Sequence, residues 1–411
     1  MPPCPFPQTK PVSMYTISFF LQKCKVEIDT SDNIVYNGET FIRREGALVI
    51  PIKENRRALH QIPELDFQLP LTIAYLTGEL EGLGCTMFSP VEGSLCAWFD
   101  FGADAAIAFR ADMDALPIVE KSGAAYASRH PGRMHACGHD GHMAILLELA
   151  RRLSKRKQLS RNILLVFQPA EEATGGAKPI CDSGVFAEYK VEAIFGLHLW
   201  PGLEKGKIFS RPGEMMSRSA ELDVDIFGRS AHIGRSWEGV DATEAACVFI
   251  QKAYALERSV PEDIRRLLKF GRLQSGTVRN ALSAHARMEG GLRAFSDEVF
   301  FGLRDRLLEI AKEVEQQFGC QVRVHTSNGY PAIDNPRWLH DKVHAIAPFA
   351  YLAEPSMTTE DFSWYQRSVP GMFFFLGLGE NPALHSDNFD FDESVLPLGA
   401  DFFEKIVEGW T

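Results

Sequence analysis

The chain has 411 residues, 45% of them hydrophobic and 24% charged, which is enough for two domains around a large core and excludes a disordered or fibrous protein. A net charge of −11 leaves no surplus of Lys and Arg to neutralise phosphates, so nucleic acid is excluded as a partner and only a local basic pocket is conceivable. The cysteines at positions 4, 24, 85, 96, 137, 181, 247 and 320 follow no framework spacing, read as reduced thiols of a cytoplasmic protein, and no run approaches the roughly 18 apolar residues that span a bilayer. Residues 1–47 are an unassigned N-terminal extension, proline-rich before Gln8 and without clean periodicity. The apolar stretch Met14–Leu21 lacks a basic flank and a small-residue cleavage site, so it fits a signal peptide poorly.

From Ile52 a helix runs through K-E-N-R-R-A-L-H and stops before Pro63. Apolar runs then alternate with amphipathic stretches, the pattern of βαβ units around a parallel sheet. Ala105–Phe109 reads as a strand entering R-A-D-M-D, Gly141–Lys155 as a helix with cations in its last turn, and Ile163–Phe167 and Ala193–Leu197 as buried strands. Between Glu214 and Gly329 the pattern changes. A strictly alternating strand (Glu221–Phe227), a helix (Asp241–Arg258), strands at Ser275–Arg279 and Ala286–Arg293, a long helix capped by Ser296, and a strand at Cys320–His325 follow one another. That βαββαβ order predicts a ferredoxin-like α+β domain of residues 215–329 inserted into an α/β catalytic domain of residues 48–214 and 330–411. The α/β pattern resumes after Pro331 and includes the central-strand run Met372–Leu378.

The chemistry concentrates in Met134–His142, M-H-A-C-G-H-D-G-H, and in Q-P-A-E-E, Gln168–Glu172. Gly138 lets the chain bend so that Cys137 and His139 face one centre; a lone cysteine is ordinarily a small buried residue, but three neighbouring histidines favour ligation. His135 and His142 read as packing or supporting residues. Adjacent carboxylates at the mouth of a buried strand repel each other and resist burial, so Glu171–Glu172 calls for a cation. A metal takes one of them, and the other is placed to accept a proton from metal-bound water, whose pKa falls to about 7. His198 in G-L-H-L-W-P and His385 in P-A-L-H-S-D-N would each be unremarkable alone. They count because residues just past strand ends in an open α/β sheet converge on one crevice. Asp112 is a candidate to orient a ligand histidine, or else a simple turn residue or helix N-cap.

Taken together, R-A-D-M-D-A-L-P-I (Arg110–Ile118), M-H-A-C-G-H-D-G-H, F-Q-P-A-E-E-A-T-G-G-A-K (Phe167–Lys178), G-L-H, and M-T-T-E-D-F (Met357–Phe362) followed by P-G-M-F-F-F-L-G resemble the aminoacylase/carboxypeptidase superfamily of co-catalytic metallopeptidases. The resemblance is to its amidohydrolase branch of N-acyl-amino-acid, hippurate and indole-acetyl-amino-acid hydrolases, and covers residue 50 to the end. It implies that Cys137, His139, Glu172, His198 and His385 hold two divalent ions and that Glu171 is the general base. It also implies that the inserted domain is a lid and dimerisation domain of a homodimer, supplying His232 to steady the oxyanion, with Asn280, Arg293 and Glu360 contacting substrate.

Three departures stand out. Arg110 occupies a position where sister peptidases carry a metal-binding histidine, so the ligand set is the cysteine-containing one. The stretch after His232 reads I-G-R-S-W-E-G in place of the usual Ala-Ala and Pro-His, and Thr359 stands where glycine is commoner. The expected reaction is hydrolysis of an N-acyl-amino acid by metal-bound hydroxide, with a dipeptidase or carboxypeptidase as alternative. The intact Glu171–Glu172 pair argues against a silent binding protein, and its spare carboxylate against a closed structural zinc site. Zn²⁺, Mn²⁺, Co²⁺ and Ni²⁺ all suit a site that mixes thiolate, imidazole and carboxylate.

Overall fold

A computed structural model describes residues 51–411 and the backbone of three short antiparallel strands, β1 (Val26–Ile28), β2 (Ile34–Tyr36) and β3 (Glu39–Phe41). The rest of the N-terminal extension, Met14–Leu21 included, lies outside the described residues. The chain divides into two compact units: residues 1–213, 335–353 and 364–411 form the first, and residues 214–334 with 354–363 the second.

In the first unit, α1 (Ile52–His60) and α2 (Pro70–Leu80) precede β4 (Thr86–Phe88), β5 (Leu95–Phe99) and β6 (Ala106–Asp112). Pro70 sits at the first turn of α2, where its missing N–H is no loss. Then come α3 (His139–Leu153), β7 (Asn162–Gln168), β8 (Val191–Trp200) and β9 (Ile208–Ser210). β6 and β7 are buried at every position, which is what an unbroken apolar run becomes when both faces of a strand are covered.

The second unit opens with β10 (Gly213–Met216), followed by β11 (Arg218–Phe227), α4 (Ala242–Ser259), β12 (Arg266–Ser275), β13 (His285–Ala294), α5 (Asp297–Phe318), β14 (Gln321–Thr326) and β15 (Ile333–Asn335), the last pairing with β10. Its antiparallel sheet runs β12-β13-β11-β14, the ferredoxin-like order. Leu222, Val224 and Ile226 of β11 are buried with Phe249 of α4 and Leu303, Leu307 and Ile310 of α5, so the alternation in β11 reflects one face covered by helices. Ser296 caps α5 by accepting the N–H of Val299 at 3.1 Å, and Asp241 caps α4 through Thr243. One strand differs from expectation: it occupies Arg266–Ser275, not Ser275–Arg279. Its alternation is broken by a register shift between Phe270 and Arg272, so the strand carries no period-2 pattern. The segment Glu354–Ser363 also belongs to this unit, because Ser217 N–H donates to the carbonyls of Ser356 and Thr358.

The chain returns through β16 (Ala350–Tyr351), β17 (Gly371–Gly377) and α6 (Leu396–Gly409). The eight-stranded sheet runs β16-β9-β17-β8-β6-β7-β5-β4. β7, β6, β8 and β17 are parallel neighbours, while β4 and β5 at one side and β9 at the other pair antiparallel. Phe109 lies opposite Leu165 and Phe195 in the ladder, and its ring meets Phe403 of α6 at 4.9 Å. Each such fully buried side chain contributes on the order of 2 kcal/mol. The architecture is therefore a mixed α/β sheet with an inserted α+β unit. The C-terminal ends of β6, β7, β8 and β17 share one edge of the sheet, where an open α/β fold places its ligands. No described helix is long and apolar enough to cross a membrane.

Candidate metal centre

Past the end of β7 the chain turns through Ala170, held in the left-handed region at φ 57°. A non-glycine residue is strained there unless its surroundings impose it. Here Asp114 does so: its Oδ1 and Oδ2 accept the backbone N–H groups of Glu171 and Glu172 at 2.9 and 3.0 Å. Gly176 closes the same turn, since a Cβ there would come within 1.9 Å of the Pro169 carbonyl oxygen.

Gly138, at φ 84°, bends the chain between Cys137 and His139 at the start of α3. His139 Nδ1 donates to the carbonyl oxygen of Asp114 at 2.8 Å. A carbonyl only accepts, so the ring proton is on Nδ1 and Nε2 carries the lone pair. That Nε2 is buried without a hydrogen bond, 3.5 Å from Asp112 Oδ2 and 3.8 Å from Glu172 Oε1. His198 lies inside β8 and not beyond it, and repeats the device: Nδ1 donates to the Leu199 carbonyl at 2.7 Å while Nε2 sits 3.4 Å from Cys137 Sγ. His385, exposed and also left-handed at φ 65°, donates its amide to the Ala136 carbonyl and places Nε2 3.2 Å from Glu172 Oε1.

Donor atoms of Cys137, His139 and His198 all lie within 4.8 Å of one another, as do those of Cys137, Glu172 and His385, and those of His139, Glu171 and Glu172. Burial holds His139 and His198 below the ordinary imidazole range, as neutral rings able to ligate. Burial, then the charges of Glu172 and Glu171, pushes the Cys137 thiol well up, so the bare group keeps its proton and a cation is what would make it a thiolate. Two lone-pair nitrogens, a sulfur and carboxylates converging around an Nε2 with no hydrogen bond form a donor set that fits divalent ions.

Asp112 orients no ligand ring through a hydrogen bond. It accepts from His142 Nδ1 at 2.6 Å and from Arg110 at 2.7 Å; despite burial, Arg110 and the nearby histidines hold its carboxyl well below the usual range. Arg110 also donates to Gln168 Oε1 at 2.8 Å. His135 is buried with neither ring nitrogen hydrogen-bonded, 6.3 Å from the His60 ring, consistent with packing.

The second unit holds the remaining candidates. His232 and Asn280 lie exposed on adjacent loops, joined where Ile233 N–H donates to the Asn280 carbonyl at 3.0 Å and His232 bridges Ala281. Arg293 donates to the Met357 carbonyl at 2.5 Å, and buried Glu360 accepts the N–H of Phe362 at 3.1 Å. Asp114 went unrecognised in the sequence. Its only signal was its place two residues after Asp112, on the same face of an extended segment.

The fold and this cluster define a metal-dependent hydrolase of amide bonds. Residues 108–409 match peptidase family M20/M25/M40, and the chain belongs to that family. It is similar to the N-acetyldiaminopimelate deacetylase of Listeria monocytogenes, 33% identical over 362 residues that cover 86% of this chain and 97% of that protein. It is 30% identical over 374 residues to an uncharacterized hydrolase of Staphylococcus saprophyticus, covering 88% and 97%. Among solved structures it resembles the Bacillus subtilis YxeP protein, a dinuclear metal-binding peptidase of the M20 family, with a TM-score of 0.76 and 29% identity over 87% of this chain and 96% of that one.

Proposed function

We propose that the protein hydrolyses the amide of N-acyl-L-amino acids, releasing a carboxylate and a free amino acid. The carrying observation is the Glu171–Glu172 pair held on Asp114: Glu172 shares donor clusters with Cys137 and His385 and with His139, and Glu171 adjoins it in the second of these. Cys137, His139, Glu172, His198 and His385 are the residues that would hold two divalent ions per subunit, of Mn²⁺, Zn²⁺, Co²⁺ or Ni²⁺. When bound, such ions polarise the scissile carbonyl and acidify water. Glu171, largely buried, takes the proton of the attacking water and returns it to the leaving amine. Asp114 and Gly138 aim these groups, and Asp112 keeps the neighbouring imidazole of His142 in place.

His232 as oxyanion stabiliser, Asn280, Arg293 and Glu360 as substrate contacts, and a homodimer built on the inserted unit belong to the same proposal, supported by the motifs they match. Removal of an acetyl group from N-acetyldiaminopimelate, the activity for which the Listeria relatives are named, is an instance of the proposed reaction. The YxeP likeness supports the second reading, a peptidase at the same residues.

Purified protein reloaded with each ion should release amino acid from N-acetyl-amino acids. Cleavage of dipeptides, whose free α-amino group a peptidase must accommodate, with no turnover of any N-acyl substrate would overturn the amidohydrolase reading in favour of the peptidase.

A further inference from the structure

His142 offers no lone pair to the donor cluster, because both of its ring nitrogens are committed. Nε2 accepts the backbone N–H of Leu199 at 2.9 Å, and since an amide N–H only donates, the ring proton must sit on Nδ1. Nδ1 donates to Asp112 Oδ1 at 2.6 Å, and Asp112 Oδ2 accepts from Arg110 at 2.7 Å. The other polar group of Leu199 is committed too, its carbonyl accepting Nδ1–H of His198 at 2.7 Å. Pairing between β6 and β8 ends at Arg110 opposite Gly196, so the Leu199 amide lies beyond that ladder and finds His142 instead. The His142 and His198 rings meet at 4.6 Å, tilted by 67°, and both are buried with Asp112.

We propose that His142 is a positioning residue that fixes the tautomer and direction of His198 through the backbone of Leu199. Without an acceptor, the buried Leu199 amide must seek another partner; the N–H and C=O of one strand residue flank a single Cα and point to the same side of the strand, so that backbone shift displaces the Leu199 carbonyl as well. His198 then loses the acceptor that keeps the proton on Nδ1. In the opposite tautomer its Nε2 bears a hydrogen toward Cys137 and has no lone pair for a cation. The proposal rests on the reading of His198 as a metal ligand and asks no chemistry of His142 itself.

The first measurement needs neither metal nor variant. Long-range ¹H–¹⁵N NMR of the metal-free protein should show the Nδ1–H tautomer for both His142 and His198; Nε2–H on His142 overturns the proposal. The second compares H142Q, whose side-chain oxygen can still accept the Leu199 N–H, with H142L, which cannot, by titration calorimetry with Zn²⁺. H142L should bind about 10- to 100-fold more weakly and show His198 in mixed tautomers, with H142Q close to wild type. H142L binding as tightly as wild type with His198 still Nδ1–H overturns the proposal, and so does an H142Q as impaired as H142L. If H142L does not fold, the wild-type tautomers and H142Q decide. Undiminished Zn²⁺ binding by H198A would instead remove the ligand reading itself, an outcome separable from the His142 tautomer.

Discussion

Asp114 Oδ2 accepts the backbone N–H of Glu172 at 3.0 Å, at the turn where Ala170 is forced to φ 57°. The companion oxygen holds Glu171, and the Asp114 carbonyl holds His139, so one residue aims three side chains from two elements. Asp114→Ala should leave two buried amides without acceptors, at about 1–3 kcal/mol each. We expect a lowered Tm together with weaker metal binding in calorimetry. Full metal affinity in a folded Ala variant would show that the turn holds itself.

Glu171→Gln keeps shape and hydrogen bonding but cannot accept a proton. It should retain fold and metal content by elemental analysis while kcat falls by about 10²–10⁴. Near-normal turnover would refute its role as base. Cys137→Ala, by contrast, should lower metal stoichiometry, because its sulfur lies in two of the donor clusters; unchanged stoichiometry would remove it as a ligand.

Arg56, fully buried, donates to Asp140 Oδ2 at 2.7 Å and pairs with Asp390 and Glu393, tying α1 to the start of α3 and to the segment before α6. Arg56→Met leaves Asp140 buried without its principal cation. The expected cost is about 3–5 kcal/mol, read as a shift in the denaturant midpoint. A loss below 1 kcal/mol, about what an exposed pair contributes, would contradict the assigned burial.

His60 adds a pH dependence. Burial opposes its charge, but hydrogen bonds to Asp140 at 2.7 Å and Glu120 at 3.2 Å prevail and raise its pKa from 6.5 to about 9. A raised folded pKa means stability fully present below the unfolded value of 6.5 and lost as pH rises through about 9. Glu120, burial notwithstanding, is drawn from 4.5 down to about 2 by His60, Ser122 and the Ser128 amide, so its contribution is present above 4.5 and lost as pH falls. Metal-free protein should therefore be most stable between 4.5 and 6.5 as far as this pair is concerned, losing on the order of 3 kcal/mol on the alkaline side. In His60→Gln the alkaline decline should flatten; an identical pH profile would assign it to other groups.

Much of this was legible along the chain. Apolar runs announced β6, β7, β8 and β17, because a strand covered on both faces carries a continuous apolar stretch at its centre, with the polar residues toward its ends. The strict alternation of β11 and the Ser296 cap of α5 were equally plain. β12 was not, since its register shift breaks the period on which the reading depends.

The sequence by itself determined the donor types, the strand end that carries the Glu171–Glu172 pair and the glycine between Cys137 and His139, because hydrophobic period and backbone freedom are local properties. Only the tertiary structure decided which nitrogen of each imidazole faces the cluster, that Asp112 serves His142, and that Asp114 holds the glutamate pair. Except for His198, whose ring bonds the carbonyl of the next residue, those choices depend on hydrogen bonds between residues 25 to 58 positions apart, such as His139 to Asp114, His142 to Asp112 and Glu172 to Asp114. A tautomer or a carboxylate's partner is set by whichever donor or acceptor packing brings within about 3 Å, and no pattern along the chain encodes that distance.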